Sequence, residues 1–198
     1  EFIGNRHDPY SDIGMVSAQG GKIINLTNSG YTSGSPRWVL DGNAILFITE
    51  RYGMRAHASW GSLNDVMLVF MNQDAYDKFR LSKEDYELQK ELEKEQKNTT
   101  EAKKNDKKKG DNKEKSEEKK EEKVKDIVVE LNNIEDRIVR LTPNSSDLGS
   151  AIITKDGETL YYLSAFEGGY DLWKMNLRKK DTKLLHKMDA GWANMEMD

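Results

Sequence analysis

The sequence has no cysteine among its 198 residues and only three histidines. Disulfide bonds, thiolate nucleophiles and cysteine-based zinc sites are therefore excluded. His7, His57 and His186 do not show the His-x-x-x-His or His-Glu-x-x-His spacing of a zinc site. The Gly-x-Ser-x-Gly elbow and a phosphate-binding loop ending in Gly-Lys-Ser/Thr are also missing. We expect no catalytic residue, no metal and no cofactor; the alternative, a triad of distant residues, needs one of these histidines as its base.

Long apolar runs and a strong net charge are absent too. No stretch approaches the roughly 20 apolar residues that cross a bilayer, so we expect no membrane span. The formal net charge is −4 at pH 7. Glutamates interleave with the lysines of residues 101–125, and no aromatic residue lies among them. We therefore expect no nucleic-acid partner.

What the sequence does contain is a repeated pattern of short β-rich runs. Residues 150–176 hold three of them: Ile152-Ile153, Thr159–Ser164 and Asp171–Asn176. Two glycine-containing turn signals, Asp156-Gly157 and Gly168-Gly169, separate the three runs. Branched and aromatic residues favour strands, and Asp-Gly suits a tight hairpin because glycine tolerates positive φ. This order predicts an antiparallel meander.

The meander occurs again earlier in the chain, over residues 37–71. Asp41 precedes Asp156 by 115 positions, and the Leu-Thr pair at Leu26 precedes that at Leu141 by the same distance. Residues 2–6 align with residues 47–51 at an offset of 45. A period near 45 with about four strands per unit is typical of a β-propeller blade, and the longer offset requires an insertion.

Residues 73–125 are that insertion. We predict a helix over about 79–97, capped by Ser82 with Asp85 three residues on. The lysine- and glutamate-rich residues 98–125 bury too little apolar surface to offset their ordering entropy, which predicts disorder.

The remaining residues, 1–72 and 126–198, are predicted as blades. After the insertion, Asp126–Leu131 is expected to resume the sheet, Arg137–Thr142 to form an outer strand, and Gly191–Met197 to begin the next blade. The chain is thus predicted to be all-β: a partial β-propeller with two complete four-stranded antiparallel blades, parts of two others, and a helical and disordered charged insertion. Because it begins at Glu1 inside a β-rich run, we interpret it as a piece of a longer protein.

One loop is a candidate contact site. Residues 51–64 hold Arg51, Arg55, His57 and Trp60, which form a candidate patch for a peptide or partner; the alternative is an ordinary connecting loop.

Two further sets of residues are predicted to be structural. One is the aspartates at turns or strand starts, whose side chains accept backbone N–H groups there, which favours a structural role over a metal site: Asp12, Asp41, Asp65, Asp156 and Asp171. The other is aromatic residues predicted to pack between neighbouring blades: Trp38, Tyr161, Tyr162 and Trp173.

The sequence of each predicted blade has the order Leu-Thr, strand, Asp-Gly, strand, a loop with Arg, then D-[IL]-x-x-[VM]. It resembles the Asp-Gly repeats of TolB-like and WD-like propellers. IEDRIVRLTPNSSDLG (134–149) followed by KDGETLYYLSAFEGGYDLW (155–173) is similar to the N-terminal propeller of tricorn-like serine peptidases. The charged insertion after DVMLVFMNQDAYDKF (65–79) fits the same family, especially its large Bacteroidetes homologues.

The resemblance implies a function that composition alone does not. It implies a non-catalytic propeller that gates or captures peptides or unfolded protein segments for a downstream serine peptidase domain of the same chain. It further implies export to the periplasm, and homo-oligomerisation is compatible with it. The alternative is a TolB-like periplasmic protein-interaction propeller with no peptidase activity.

Overall fold

The computed structural model describes residues 2–3, 10–55, 61–106 and 127–196. Residues 1–79 and 128–198 form one compact unit, and residues 80–127 form another. The first unit contains three antiparallel sheets.

Each sheet is built from strands that follow one another along the chain. The first has the order β1-β2-β3: β1 (Phe2–Ile3), β2 (Asp12–Met15) and β3 (Ile24–Asn25). The second has the order β4-β5-β6-β7: β4 (Ser33–Val39), β5 (Ala44–Thr49), β6 (Asp65–Phe70) and β7 (Ile138–Arg140). The third has the order β8-β9-β10-β11: β8 (Asp147–Ile153), β9 (Thr159–Ala165), β10 (Tyr170–Asn176) and β11 (Asp181–Ala190). The predicted four-stranded antiparallel blades are confirmed.

The second sheet is apolar along β5 and β6 because both of its faces are buried. Successive side chains of a strand point to opposite faces. Ala44 and Leu46 therefore join a core with residues of the third sheet, including Leu160. Ile45 and Phe47 point the other way, into a core with Ile13 and Leu26 of the first sheet. Blades stacked face to face produce this continuous apolar run instead of an alternating one.

In two blades, the aspartate that begins a strand contacts the threonine of a Leu-Thr pair. The Thr27 hydroxyl donates to Asp12 at 2.7 Å, and the Thr142 hydroxyl donates to Asp65 at 2.7 Å. Each threonine oxygen also accepts the backbone N–H of the residue after the aspartate. This contact fastens the third strand of a blade to the end of its outer strand.

In the third blade, backbone N–H groups take the place of the threonine hydroxyl and hold the third strand to the outer strand. Asp171 accepts the N–H groups of Met188 and Asp189 at 2.7 and 2.9 Å, and these bonds lower its pKa. Asp156 similarly accepts the N–H of Glu158 at 3.0 Å. Asp12, Asp156 and Asp171 thus accept backbone N–H groups as predicted. Asp65 is held by side-chain donors instead, and Asp41 forms an ion pair with Lys155 at 3.3 Å.

The Asp-Gly connections are hairpins, but longer than the tight turn that the dipeptide predicts. Val39 pairs with Ala44, so four residues link β4 to β5, and both Leu40 and Asp41 have φ of 54°. Ile153 pairs with Leu160 across the second connection.

The described residues of the insertion, 73–106, contain two helices instead of the single one predicted over 79–97. Helix α1 (Gln73–Arg80) precedes α2 (Lys83–Asp106). The Phe70 ring lies 5.8 Å from that of Tyr76 and 5.0 Å from that of Phe79, so α1 packs on the sheet core through residue 79. The disorder predicted from residue 98 is wrong up to Asp106, because α2 continues that far; residues 107–126 lie outside the described residues.

The start of α2 follows the sequence signal. The Ser82 hydroxyl oxygen accepts the Asp85 N–H at 3.1 Å and the hydroxyl donates to the Asp85 carboxylate at 2.7 Å. This cap ends α1 and begins a new helix, which the sequence interpretation had merged into one.

The chain leaving the insertion is not the predicted strand. Residues 127–131 have no strand structure, because β7 already occupies the free edge of β6. They are tied down by other means. The Glu130 N–H donates to the Met71 carbonyl at 2.8 Å. The buried Arg137 guanidinium donates to the carbonyls of Phe70, Asn132 and Glu130.

Two other expectations are corrected. Residues 191–196 form no strand, so the described part of the chain contains no further strand after β11. Trp38 is 50% exposed, whereas Tyr162 is 2% exposed and belongs to the core between the second and third sheets, against which Trp173 also packs. Burial raises the pKa of Tyr162 to about 12.

Candidate functional site

The strands of the second blade alternate in direction, so the connection between β5 and β6 lies at one end of the blade. β4 begins, β5 ends, β6 begins and β7 ends at the same end of the blade, which we call the loop edge. The β4–β5 turn and the start of α1, which follows β6, lie at the opposite end. Residues 50–55 and 61–64, the described parts of the predicted contact loop, therefore lie at the loop edge.

Arg55 is held in place by acidic and aromatic neighbours. Its guanidinium contacts the Glu50 carboxylate at 2.8 Å and donates to the Tyr10 hydroxyl at 3.3 Å. It also lies over two rings, 5.3 Å from the centre of Tyr10 and 6.0 Å from that of Tyr31. The Tyr10 hydrogen bond and the Glu50 charge raise its pKa.

Glu50 is the anchor of this cluster. It accepts the Ser62 hydroxyl at 2.5 Å and the Thr32 N–H at 3.2 Å. Burial opposes ionisation of Glu50, but these hydrogen bonds and the Arg55 charge outweigh it and lower its pKa. Because Glu50 neutralises Arg55, this arginine organises the loop edge and does not present a free cation to a ligand.

Arg51 takes part in a second stack. The Tyr52 ring lies between two guanidinium groups, 5.6 Å from Arg51 and 5.0 Å from Arg140. Arg140 is fixed in turn by an ion pair with buried Asp65 at 2.8 Å. Arg51 itself is exposed, so it is the arginine of the pair that is able to meet a ligand.

The two described arms of the contact loop, residues 51–55 and 61–64, pair with each other as a short ribbon. Arg55 and Ser62 form an antiparallel bridge, and the Leu63 N–H donates to the Met54 carbonyl at 3.1 Å. A Cβ on Gly53 would overlap the Leu63 carbonyl, so only glycine allows the two arms to approach this closely.

This ribbon and its neighbours expose apolar side chains. We call them the loop-edge patch: Tyr31, Tyr52, Met54 and Leu63, which are 37%, 49%, 78% and 38% exposed. An exposed group of aromatic and apolar side chains is typical of an interaction surface.

The structure places two of the four predicted contact residues. Arg51 and Arg55 lie at the loop edge, while His57 and Trp60 lie outside the described residues. The sequence interpretation missed Tyr10 and Tyr31, which contact Arg55 from positions far away in the chain. No local pattern signals such contacts; the only sequence signal is that both tyrosines lie in polar loops next to strand starts.

Neither metal-binding clusters nor membrane spans occur within the described residues. No three His, Asp or Glu side chains among them are grouped so that they are able to hold a metal ion. No helix that the structure describes combines the length and the apolar character needed to cross a bilayer.

Comparison with known proteins identifies similarity of fold. No family model matches the sequence, and no curated protein matches it. The structure of TolB from Acinetobacter baumannii aligns with a TM-score of 0.48 at 10% identity, covering 93% of this chain and 29% of that one. The tricorn protease structure aligns with a TM-score of 0.52 at 10% identity, covering 93% of this chain and 16% of that one.

The chain thus spans less than a third of either protein. At this identity the tricorn likeness concerns the fold alone, and the Bacteroidetes lineage stays a prediction. The sheets of the chain are stacked, four-stranded and antiparallel. Together with the alignment they make the chain a partial β-propeller, similar in fold to part of the tricorn protease.

Proposed function

We propose that this chain is the non-catalytic propeller region of a tricorn-like serine peptidase. In this proposal it captures peptides or unfolded protein segments, or gates their entry, for a catalytic domain of the same protein. The observation that supports the proposal is the loop-edge patch, where four apolar side chains are exposed on one ribbon and its neighbours.

The chemistry of the patch suits an extended peptide. Tyrosine offers a large apolar ring at a small entropy cost, and methionine adapts to side chains of different shape. The Glu50–Arg55 and Asp65–Arg140 pairs hold the base of the patch, so little ordering is left to be done on binding. Arg51 adds a positive charge beside the apolar surface.

Peptide titration tests the patch directly. Tyr52→Ser and Met54→Ser are expected to weaken binding of fluorescent unstructured peptides by about tenfold in fluorescence anisotropy, since truncating an anchor residue costs more than about 1 kcal/mol. Leu88→Ser removes a similarly exposed apolar side chain from α2, outside the loop-edge patch, and serves as the matched control. Equal affinities for all three variants and the unaltered chain would contradict peptide capture at the loop edge.

Gating is tested in the parent protein. Deleting the propeller region from the parent is expected to change the lengths of the peptides that it cleaves, provided the catalytic domain remains folded. Unchanged activity and unchanged length selectivity would remove the gating role and leave the partner-binding alternative.

That alternative, a periplasmic TolB-like interaction propeller without peptidase activity, has an observation of its own. β11 is the last strand of its sheet, and its exposed apolar residues follow one another along that edge: Leu184, Leu185 and Met188. An open strand edge with apolar side chains suits a protein partner that adds a strand. The downstream reading frame separates the two functions, because a serine-containing catalytic domain supports the first and a stop after the remaining blades supports the second.

Location and assembly follow from the same proposal. We expect the parent protein in the periplasmic fraction after osmotic shock, and a cytoplasmic fraction would contradict the export that the resemblance implies. Light scattering of the purified parent measures whether it forms a homo-oligomer.

A further inference from the structure

The segment that returns from the insertion towards β7 is apolar and exposed. Val128, Val129 and Leu131 are 59%, 37% and 41% exposed. β-branched residues suit a strand, yet these residues form none within the chain because β7 occupies the edge of β6. We call residues 128–131 the rim segment. A run of exposed apolar residues beside a sheet is typical of an interaction surface.

The backbone of the rim segment is bonded to the end of the second sheet at every second residue. The Glu130 N–H donates to the Met71 carbonyl at 2.8 Å, and the Val128 carbonyl accepts the Asn72 side-chain amide at 3.4 Å. Bonding at alternate residues towards one neighbour is the pattern of a strand at the edge of a sheet.

The residues in between leave the other side of the segment open. The backbone N–H and C=O groups of Val129 and Leu131 have no hydrogen-bond partner among the described residues. Because successive residues of an extended chain direct these groups to alternate sides, they point away from the second sheet. A row of unpaired backbone groups is a template on which another strand is able to pair.

This open edge lacks the usual protection. Proteins shield an exposed strand edge with lysine, proline or a bulge. The rim segment contains neither lysine nor proline, and its one charged side chain, Glu130, accepts the Gln73 N–H at 2.9 Å. The edge of β11, by contrast, carries Lys183 and Lys187 among its apolar residues. The rim segment is therefore the less protected of these two edges.

We propose that the rim segment pairs with the rim segment of a second copy of this chain. The two segments run antiparallel about a two-fold axis at Val129, so the Val129 residues of the two copies exchange two backbone hydrogen bonds. In this register Val128 lies opposite Glu130, and Ile127 lies opposite Leu131, so no like charges face each other. A two-fold axis at Glu130 would place two carboxylates opposite each other, which like-charge repulsion disfavours.

A groove beside the segment gives room for a side chain of the second copy. Its volume is about 410 Å³, and its apolar lining comes from Ile24, Leu26, Leu131 and Ile134. Because Leu131 borders the groove, Ile127 of the second copy is placed at its mouth when the segments pair in this register. A two-fold interface uses the same surface on both copies, so both grooves are filled together.

This inference does not depend on peptide capture. The rim segment lies beside Met71, after the end of β6, whereas the loop-edge patch lies at the end where β6 begins. Pairing of two copies through the rim segment therefore leaves the loop-edge patch accessible to peptides.

A single cysteine tests the register, because the sequence contains none of its own. In a hydrogen-bonded antiparallel pair the two Cα atoms are about 5.5 Å apart, within the span of a disulfide. Val129→Cys in the 198-residue chain is therefore expected to form a disulfide-linked dimer with oxidised glutathione, seen on non-reducing gels. Leu185→Cys, at an exposed position of β11, is the matched control and is expected to link at least about tenfold more slowly.

Association is measured separately, by sedimentation equilibrium over a range of protein concentrations. The mass of the unaltered chain is expected to double reversibly as the concentration rises. Val129→Asp places two carboxylates opposite each other and is expected to weaken dimerisation by more than about tenfold, whereas Leu185→Asp leaves it unchanged. Circular dichroism should show both variants folded, because both positions are exposed in the single chain.

Two results would overturn the inference. One is a chain that stays monomeric at every concentration, which would assign the rim segment to a different protein. The other is a dimer that Val129→Asp leaves intact, or that Leu185→Cys links as fast as Val129→Cys, which would move the interface elsewhere. Tyr52→Ser is expected to dimerise normally, so a failure of peptide capture at the patch is distinguishable from a failure of the dimer.

Discussion

Asp65 offers the most stringent test of how the blades are held together. It is 0% exposed and accepts four hydrogen bonds: from Arg140 Nε at 2.9 Å and Nη2 at 2.8 Å, and from the hydroxyls of Thr142 and Ser145 at 2.7 Å each. Asp65→Ala removes the acceptor of all four, and leaves one buried hydroxyl and a partly buried guanidinium without their partner.

The size of the effect follows from burial. Removing one member of a buried, hydrogen-bonded ion pair costs about 3–5 kcal/mol. Arg140 is one-third exposed and regains some hydration, so we expect a loss of about 3 kcal/mol for Asp65→Ala. Asp65→Asn keeps the shape but loses the charge, and is expected to cost about 2 kcal/mol.

The equivalent aspartates of the other blades are internal controls. Burial opposes ionisation of Asp12, but hydrogen bonds from Thr27, Asn25 and Ser29 outweigh it and lower its pKa. This aspartate is less buried than Asp65, so Asp12→Ala is expected to cost about 1 kcal/mol. Asp171 is half-buried, but the hydrogen bonds that it accepts from Met188 and Asp189 are exposed, so Asp171→Ala is expected to have the smallest effect.

Urea unfolding at pH 7, followed by tryptophan fluorescence, measures all four variants. The reasoning requires the order Asp65→Ala, Asp65→Asn, Asp12→Ala, Asp171→Ala from most to least destabilising. A loss below about 1 kcal/mol for Asp65→Ala, or a larger loss for Asp171→Ala, would refute the assignment of Asp65 as the buried fastener of the second blade.

Three further outcomes are expected. Arg137→Met leaves three backbone carbonyls without a donor and is expected to lower the free energy of unfolding by about 3 kcal/mol in urea titration, with Arg137→Lys intermediate. Gly53→Ala forces a methyl group against the Leu63 carbonyl. We therefore expect a clear loss of peptide affinity together with only a small fall in the melting temperature. Asp12 and Glu50 have folded-state pKa values below their ordinary 3.8 and 4.5, so they stabilise the fold above those values and stop doing so as the pH falls through the lower folded-state pKa. Acid titration followed by circular dichroism should therefore show Asp12→Asn losing less stability between about pH 5 and pH 3 than the unaltered chain does.

The parts of the fold that the sequence predicts are those whose signal is local or repeated. The β-rich run of residues 44–49 predicts β5, and a Leu-Thr pair directly follows the outer strand in two blades. Ser82 predicts the start of a helix, and α2 begins next to it in the structure. In each case the neighbouring residues alone decide the conformation.

The errors arise where a distant segment decides. Asp126–Leu131 reads as a strand, but the edge of β6 that it would need is taken by β7, and Ile127 and Val128 are 50% and 59% exposed. Helix α1 has few apolar residues, so the sequence does not separate it from the following helix. What fixes α1 is its packing on Phe70 of the preceding strand.

The candidate sites follow the same division. Arg51 and Arg55 are visible as charges in a loop, but only the folded chain brings Tyr10 and Tyr31 to Arg55 and neutralises it with Glu50. The register shifts between β4 and β5 and between β8 and β9 are a second example, because no pattern in the sequence indicates them.

The position of the insertion also determines the order in which the second blade folds. β5 and β6 are joined by residues 50–64, whereas β6 and β7 are joined by residues 71–137. Closing the longer loop costs roughly 1.3 kcal/mol more in chain entropy. The β4–β5–β6 meander is therefore expected to form first and β7 to dock last, with Arg137 locking the strand as it arrives. Until that step the outer edge of β6 is an unpaired strand, which is the stage at which the newly made chain is most exposed to mispairing with another copy.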